Sequence, residues 1–316
     1  MPHSLFTAGF PLTLRLLAPS GYCHNQEAAA RGVARLRAAG HNIQCTEVIQ
    51  RRWQRFAGDD ASRLADINQL AHGPLPDIAL AVRGGYGATR LLPQIDYPAL
   101  KAHLQQRPFV LCGHSDFTAL QMALLRHCDL VSFSGPMLAG NFGAQTVSSF
   151  TCQHFWNLIT QPEYELTWST PAADFQGDGT LWGGNIAMLT SLVGTTWLPA
   201  IKDGILVIED VNEHPFRIER MLLQLHHAGL LAQQKAIVAG SFTGAELSEY
   251  DNGYHLGEVW EMITALTGVP VIPGLAFGHD SDTVTLPLGA KGQLSVQQGK
   301  ALLHLSGYPW LRPTGA

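Results

Sequence analysis

FVLCGHSDFTALQMALLRH, residues 109–127, packs three structural signals into one short stretch. Phe109 to Cys112 is a continuous apolar run of strand length, Gly113-His114-Ser115-Asp116 is a turn, and Phe117 to His127 carries apolar residues at helical spacing (Phe117, Leu120, Leu124). The same strand-turn-helix order precedes it. Ile78 to Val82 opens into Arg83-Gly84-Gly85-Tyr86-Gly87, with a helix expected at Ala88 to Leu92. Leu14 to Ala18 opens into Pro19-Ser20-Gly21, followed by a helix from Gln26 to Ala39 that Gly40 stops and a strand from Ile43 to Val48. Repeated units of this kind predict an α/β fold with a doubly wound parallel sheet.

A chain of 316 residues exceeds the length at which one core usually stops growing, so two domains are expected. The periodicity lapses between about Thr160 and Gly179, where Pro162, Pro171 and Gly177 gather. This assigns residues 1–160 to a Rossmann-like domain, 161–178 to a linker and 179–316 to a smaller C-terminal domain. The second half mixes strands (Gly204 to Ile208, Ala236 to Ala239, Thr283 to Leu286) with a helix at Phe216 to His227. Glycine-bounded segments near Gly289, Gly292, Gly299 and Gly307 suggest antiparallel pairing, hence a β-rich α+β domain.

The formal net charge of -5 leaves no basic surplus for phosphates, and no cluster of Lys and Arg interleaved with aromatics stands out, so no nucleic-acid partner is expected. Five scattered cysteines (23, 45, 112, 128, 152) suggest neither a disulfide framework nor a zinc site, and fit a reducing compartment. The N-terminal stretch lacks an early positive region and Arg15 interrupts its apolar run, so it reads as a strand rather than an export signal. No later segment approaches the roughly 20 apolar residues that span a bilayer. A cytoplasmic protein without membrane partners is expected.

Ligands of open α/β sheets bind beyond the carboxyl ends of the strands, where the turns at 19–21, 83–87, 113–116 and 134–135 fall. Ser115 is the candidate nucleophile, because a sharp strand-to-helix turn presents its hydroxyl and the helix N-terminus leaves the Asp116 N–H for an oxyanion. Phe117 departs from the G-x-S-x-G elbow, and Ser115 and Asp116 serve equally as helix caps. Among fourteen histidines, His279 follows an apolar run and precedes Asp280-Ser281-Asp282, a placement suited to a base and also to a solvated loop. His114 is set aside because adjacent strand residues face opposite sides. Glu209 and Asp210 end the strand at Gly204 to Ile208; one faces the cleft, and Glu209 is the candidate to orient a histidine. The Arg83-Gly84-Gly85-Tyr86-Gly87 loop suits a second oxyanion donor and equally a plain turn. The glycine loop matches no nucleotide-binding pattern and no metal motif occurs, so neither cofactor nor metal is expected.

LAPSGY (17–22), RGGYGATRLL (83–92), GHSDFTALQ (113–121), SGPM (134–137), GTLWGGNIAML (179–189), ILVIEDVNEHPFRIERMLLQL (205–225) and FGH (277–279) together resemble the LD-carboxypeptidase family. The resemblance implies a Ser115–His279–Glu209 triad, an oxyanion hole from the Asp116 and Gly85 N–H groups, and a homodimer. It implies cleavage between meso-diaminopimelate and the terminal D-alanine of murein tetrapeptides in cell-wall recycling. Arg83 and Arg217 become candidates for the terminal carboxylate, each equally a salt-bridge partner, and Asn185 for a polar contact or a helix cap. Two alternatives remain: the related branch that hydrolyses peptidyl-nucleotide antibiotics for self-immunity, and a non-catalytic muropeptide-binding protein.

Overall fold

In the computed structural model, which describes residues 5–313, the first half forms the expected parallel sheet. Its strands are β1 (Thr13–Leu17), β2 (Asn42–Gln44), β3 (Ile78–Ala81), β4 (Val110–Gly113) and β5 (Ser132–Ser134), ordered β2-β1-β3-β4-β5. Every residue of β3 and β4 is buried, as parallel strands covered on both faces must be. The helices between them are α1 (Gln26–Ala38), α2 (Asp60–Asn68), α3 (Tyr97–Leu104) and α4 (Phe117–Cys128). The Asn25 side chain accepts from the Ala28 N–H and so starts α1, while Asp129 in the left-handed region stops α4. The strand order reverses direction between β1 and β3, and the loops at their carboxyl ends open a crevice there.

After α5 (Ser149–Ile159) the chain builds a second, seven-stranded sheet. It contains β6 (Glu163–Ser169), β7 (Phe175–Asn185), β8 (Gly204–Val211), β9 (Gln234–Thr243) and β10 (Val271–Pro273), with α6 (Ile186–Ser191), α7 (Pro215–His227) and α8 (Leu256–Thr267) between them. β11 (Leu286–Leu288) crosses back to pair antiparallel with β5 of the first sheet. β12 (Lys291–Gln297) and β13 (Lys300–Ser306) close the second, as the expected antiparallel pair. The long β7 serves both kinds of pairing, antiparallel to β12 over its first half and parallel to β8 over Leu181 to Asn185. One contiguous apolar core runs from Leu14 in β1 to Leu305 in β13.

Four local expectations are corrected. The 161–178 segment is no linker: it holds β6 and the start of β7, and it reads as polar because one face of this antiparallel sheet meets water, leaving Leu166 as the fully buried residue of β6. The strand expected over 43–48 ends at Gln44, since Cys45 turns into the left-handed region and Thr46–Ile49 coil into a 3-10 turn. The helix expected at 88–92 is a pair of 3-10 turns, Ala88–Arg90 and Leu92–Gln94, the second holding Pro93, which lacks the N–H an extended helix needs. The strand expected from Thr283 starts only at Leu286.

Candidate active site

Ser115 stands on the turn between β4 and α4 with φ at +65°, a left-handed conformation that costs a non-glycine residue on the order of 1 kcal/mol. The elbow is held on its carboxyl side by the Thr118 N–H, which donates to the Ser115 carbonyl at 2.9 Å. Gly84 packs so closely behind it that a Cβ there would lie 2.8 Å from Ser115 Cβ and 3.0 Å from Oγ. Gly85 follows at φ +110°, a conformation L side chains rarely adopt. Asp116 does not cap α4 with its side chain; its buried carboxylate accepts from the Ala88 N–H at 2.9 Å and ties the glycine loop to the elbow. Among the described residues, neither the Asp116 nor the Gly85 backbone N–H finds an acceptor, so both remain available to a ligand.

On the facing wall, the His279 Nδ1 meets Glu209 Oε2 at 2.7 Å. Residues alternate in direction along β8: Glu209, buried behind the cleft wall, faces His279, while Asp210 faces α6, where it accepts from the Ala187 N–H at 3.0 Å. Both carboxylates accept from Asn185 Nδ2, at 3.2 Å for Glu209 and 3.0 Å for Asp210. Burial by itself pushes the His279 imidazole down, but the Glu209 hydrogen bond and charge, joined by Asp210 and Asp280, hold it above its ordinary value. The His279 loop is fastened to α5: Ser148 donates to Asp282 at 2.6 Å, Thr151 to the Ser281 carbonyl at 2.9 Å, and the Thr283 N–H to Thr151 at 2.9 Å.

Ser115, Gly85, Arg83 and His279 line one cleft of about 600 Å³. Ser115 Oγ makes no hydrogen bond to a described residue, so within the Ser115–His279–Glu209 set the closed link is that between His279 and Glu209. A wider hollow of about 1000 Å³ over the open face of β6, β7, β12 and β13 includes none of these four residues. Arg83 Nη1 donates to the Tyr22 carbonyl at 2.8 Å on the cleft wall. Arg217 is not in the cleft: it is half-exposed and paired with Glu213, one helical turn earlier. Asn185 also lies outside the lining; it caps α6, with Oδ1 accepting from the Met188 N–H at 3.1 Å, and steadies Glu209.

His114 makes no hydrogen bond to Ser115, yet it lines the cleft, on the side that strand alternation would deny it. Alternation fails here because the residue lies just past Gly113, where β4 ends. Its ring meets that of His279 edge to face at 5.1 Å and its Nδ1 donates to the Gly135 carbonyl at 2.9 Å. Burial, and then repulsion from His279, hold it below the ordinary histidine range, in the neutral form. Among the described residues no group of three or more His, Cys, Asp and Glu is arranged to hold a metal, and no helix is long and apolar enough to cross a membrane.

Comparison with known proteins follows the same two halves. The profile described as the LD-carboxypeptidase N-terminal domain matches residues 14–135, and that described as the LD-carboxypeptidase C-terminal domain matches 178–294. The structure of muramoyltetrapeptide carboxypeptidase from Oxalobacter formigenes superposes with a TM-score of 0.88 at 41% identity, covering 94% of this chain and 99% of that one. The murein tetrapeptide carboxypeptidase of Pseudomonas aeruginosa is 31% identical over 76% of this chain and 80% of its own length. The microcin C7 self-immunity protein of Escherichia coli is 28% identical over 83% of each chain.

Proposed function

We propose, for a chain that belongs to the LD-carboxypeptidase family, that it is a serine carboxypeptidase removing the terminal D-alanine from murein tetrapeptides through Ser115, His279 and Glu209. The observation that carries this reading is the 2.7 Å bond from His279 to a buried Glu209, in the cleft that the strained Ser115 elbow also lines. With Glu209 accepting the Nδ1 proton, the lone pair of His279 is left on Nε2, the nitrogen that must take a proton from Ser115. Ser115 Oγ attacks the carbonyl that precedes D-alanine, and its proton passes to Nε2. Such a contact tightens once substrate is seated. The tetrahedral oxyanion falls to the free Asp116 and Gly85 N–H groups, and losing one such donor costs about 3 to 4 kcal/mol of transition-state stabilisation. His279 then hands the proton to the departing amine, breaking the peptide bond and leaving an acyl-enzyme on Ser115. Water, deprotonated by the same ring, attacks the ester and releases the shortened peptide.

Arg83 is the guanidinium of the cleft wall suited to the terminal carboxylate, because its planar fork matches two carboxylate oxygens; Arg217 is committed to Glu213. Five free cysteines, four of them buried, support a reducing, cytoplasmic setting. A homodimer is the assembly the family resemblance suggests, and light scattering on the purified protein tests it. The murein-peptide reading is preferred to the self-immunity reading because a neighbour named muramoyltetrapeptide carboxypeptidase is 41% identical, against 28% for the self-immunity protein. Mass spectrometry of a murein tetrapeptide incubated with the protein is expected to show loss of D-alanine. Binding without release would favour a non-catalytic module, and cleavage of a peptidyl adenylate analogue alone would favour the other branch.

Two further outcomes follow from the geometry. His279 acts as a base only when neutral, so kcat/KM is lost as pH falls through its pKa, which lies above the ordinary 6.5. The acid limb of the pH–rate profile should therefore sit above 6.5 rather than below it. Gly84→Ala places a methyl against Ser115 Oγ at about 3.0 Å and displaces the nucleophile. A loss of roughly a hundredfold in kcat/KM is expected, with a destabilisation of about 1 to 3 kcal/mol from the overpacking, so that the folded variant loses rate far beyond what its lower melting midpoint accounts for.

A further inference from the structure

Residues 51–56 read RRWQRF, a basic and aromatic cluster that contradicts the expectation that none exists. It folds as a tight hairpin, in which the Trp53 N–H donates to the Phe56 carbonyl at 3.0 Å and the Phe56 N–H returns to Trp53 at 2.9 Å. The turn holds Arg52, Trp53, Gln54 and Arg55 in solvent. Its base is tied to the cleft, because the Tyr22 N–H donates to the Arg55 carbonyl at 2.9 Å and Gly21 pairs with Phe56. The Arg52 guanidinium lies over the Tyr22 ring at 4.7 Å, and that of Arg55 over Tyr86 at 5.6 Å. Tyr22 immediately precedes Cys23 and Tyr86 immediately follows Gly85, and both Cys23 and Gly85 line the cleft.

Three neighbouring arginines already have carboxylates, Arg51 pairing with Asp66 and Arg63 and Arg90 with Asp60, while Arg83 donates to the Tyr22 carbonyl. Arg52 and Arg55 have none among the described residues. On a chain of net charge -5, they give the cleft a positive rim that focuses anions toward it. Stacking on an aromatic face fixes the plane of a guanidinium and leaves its N–H edge free, the arrangement that receives a carboxylate through two parallel hydrogen bonds.

We infer that the Arg52–Arg55 hairpin, with Tyr22 and Tyr86, is an extended subsite for the carboxylates that the substrate carries upstream of its scissile bond. This rests on the carboxypeptidase reading. A carboxypeptidase holds only one residue on the leaving side, so a surface that leads out of the cleft beyond that residue receives the acyl side. In a murein peptide the acyl side carries free carboxylates, on the far end of diaminopimelate and on the glutamyl residue before it. The subsite thus selects anionic peptides over amidated ones, and it acts on binding rather than on the reacting atoms.

The test compares D-alanine release from two tetrapeptides, one with its upstream carboxylates free and one with them amidated, by the wild-type protein and by the double variant Arg52→Gln/Arg55→Gln. Wild type is expected to prefer the free acid by roughly tenfold in kcat/KM, mainly through KM, as partly exposed charge-assisted hydrogen bonds would give. The double variant should bring the two substrates close to parity, and added salt should erode the wild-type preference. A preference that survives unchanged in the double variant overturns the subsite, and so does a wild-type enzyme that cleaves both peptides equally well at low salt. No release from either peptide by wild type would instead sink the carboxypeptidase reading, and the subsite with it.

Discussion

Ser115→Ala is expected to lower D-alanine release by roughly 10,000- to 1,000,000-fold, the scale on which removal of a serine nucleophile acts in enzymes of this chemistry. The fold should be untouched. The Ser115 hydroxyl makes no hydrogen bond to another described residue, so its removal orphans no partner, and alanine adds no atom against Gly84. Alanine also tolerates the left-handed turn about as well as serine does. Release of D-alanine measured beside a thermal melt checks both halves. A variant that keeps even a tenth of wild-type turnover would remove Ser115 from the chemistry.

Glu209→Gln is the second large effect, expected at about 10,000-fold in kcat/KM. Glutamine preserves the shape and can still accept from Asn185 through its amide oxygen, which normally bonds the carboxylate at 3.2 Å. Its NH2 then faces His279 Nδ1 and donates to it, which drives the imidazole proton onto Nε2. That tautomer has no lone pair to offer Ser115. The same change removes the hydrogen bond and charge that hold His279 up, leaving the downward push of burial less opposed. The acid limb of the residual activity should consequently move to lower pH than in wild type. A loss below tenfold with the limb unmoved would show that His279 works without Glu209.

The legible parts of this protein are those in which local pattern and tertiary role coincide. The strands of the first half are legible because the apolar runs at β3 and β4 are fully buried, and Ser115 is found because the turn that follows β4 is a necessity of that geometry. Period-two alternation predicts that Glu209 and Asp210 take different roles, and in the structure Glu209 bonds His279 while Asp210 accepts from the Ala187 N–H, although both share the Asn185 amide. The pairing of His279 with Glu209 spans seventy residues, so only a family likeness suggested it beforehand. The failures have equally local causes. His114 sits just where a strand ceases to alternate, and β6 is polar because half of it is wet. For Arg217 and Asn185 the structural alternative is the one the fold takes: Glu213 lies four residues before Arg217, the spacing of a helical ion pair, and Asn185 stands just ahead of a helix, where a cap belongs.

The return of β11 to the edge of β5 bears on how the protein is made. Leu286–Leu288 leave the ribosome long after β5 has emerged, yet they close the side of the sheet that holds the nucleophile turn. Until they emerge, β5 presents bare backbone donors and acceptors, the kind of border that recruits foreign strands. The sheet of the N-terminal half is thus completed by a strand from the other half, and a chain cut short before residue 286 lacks the strand that seals it.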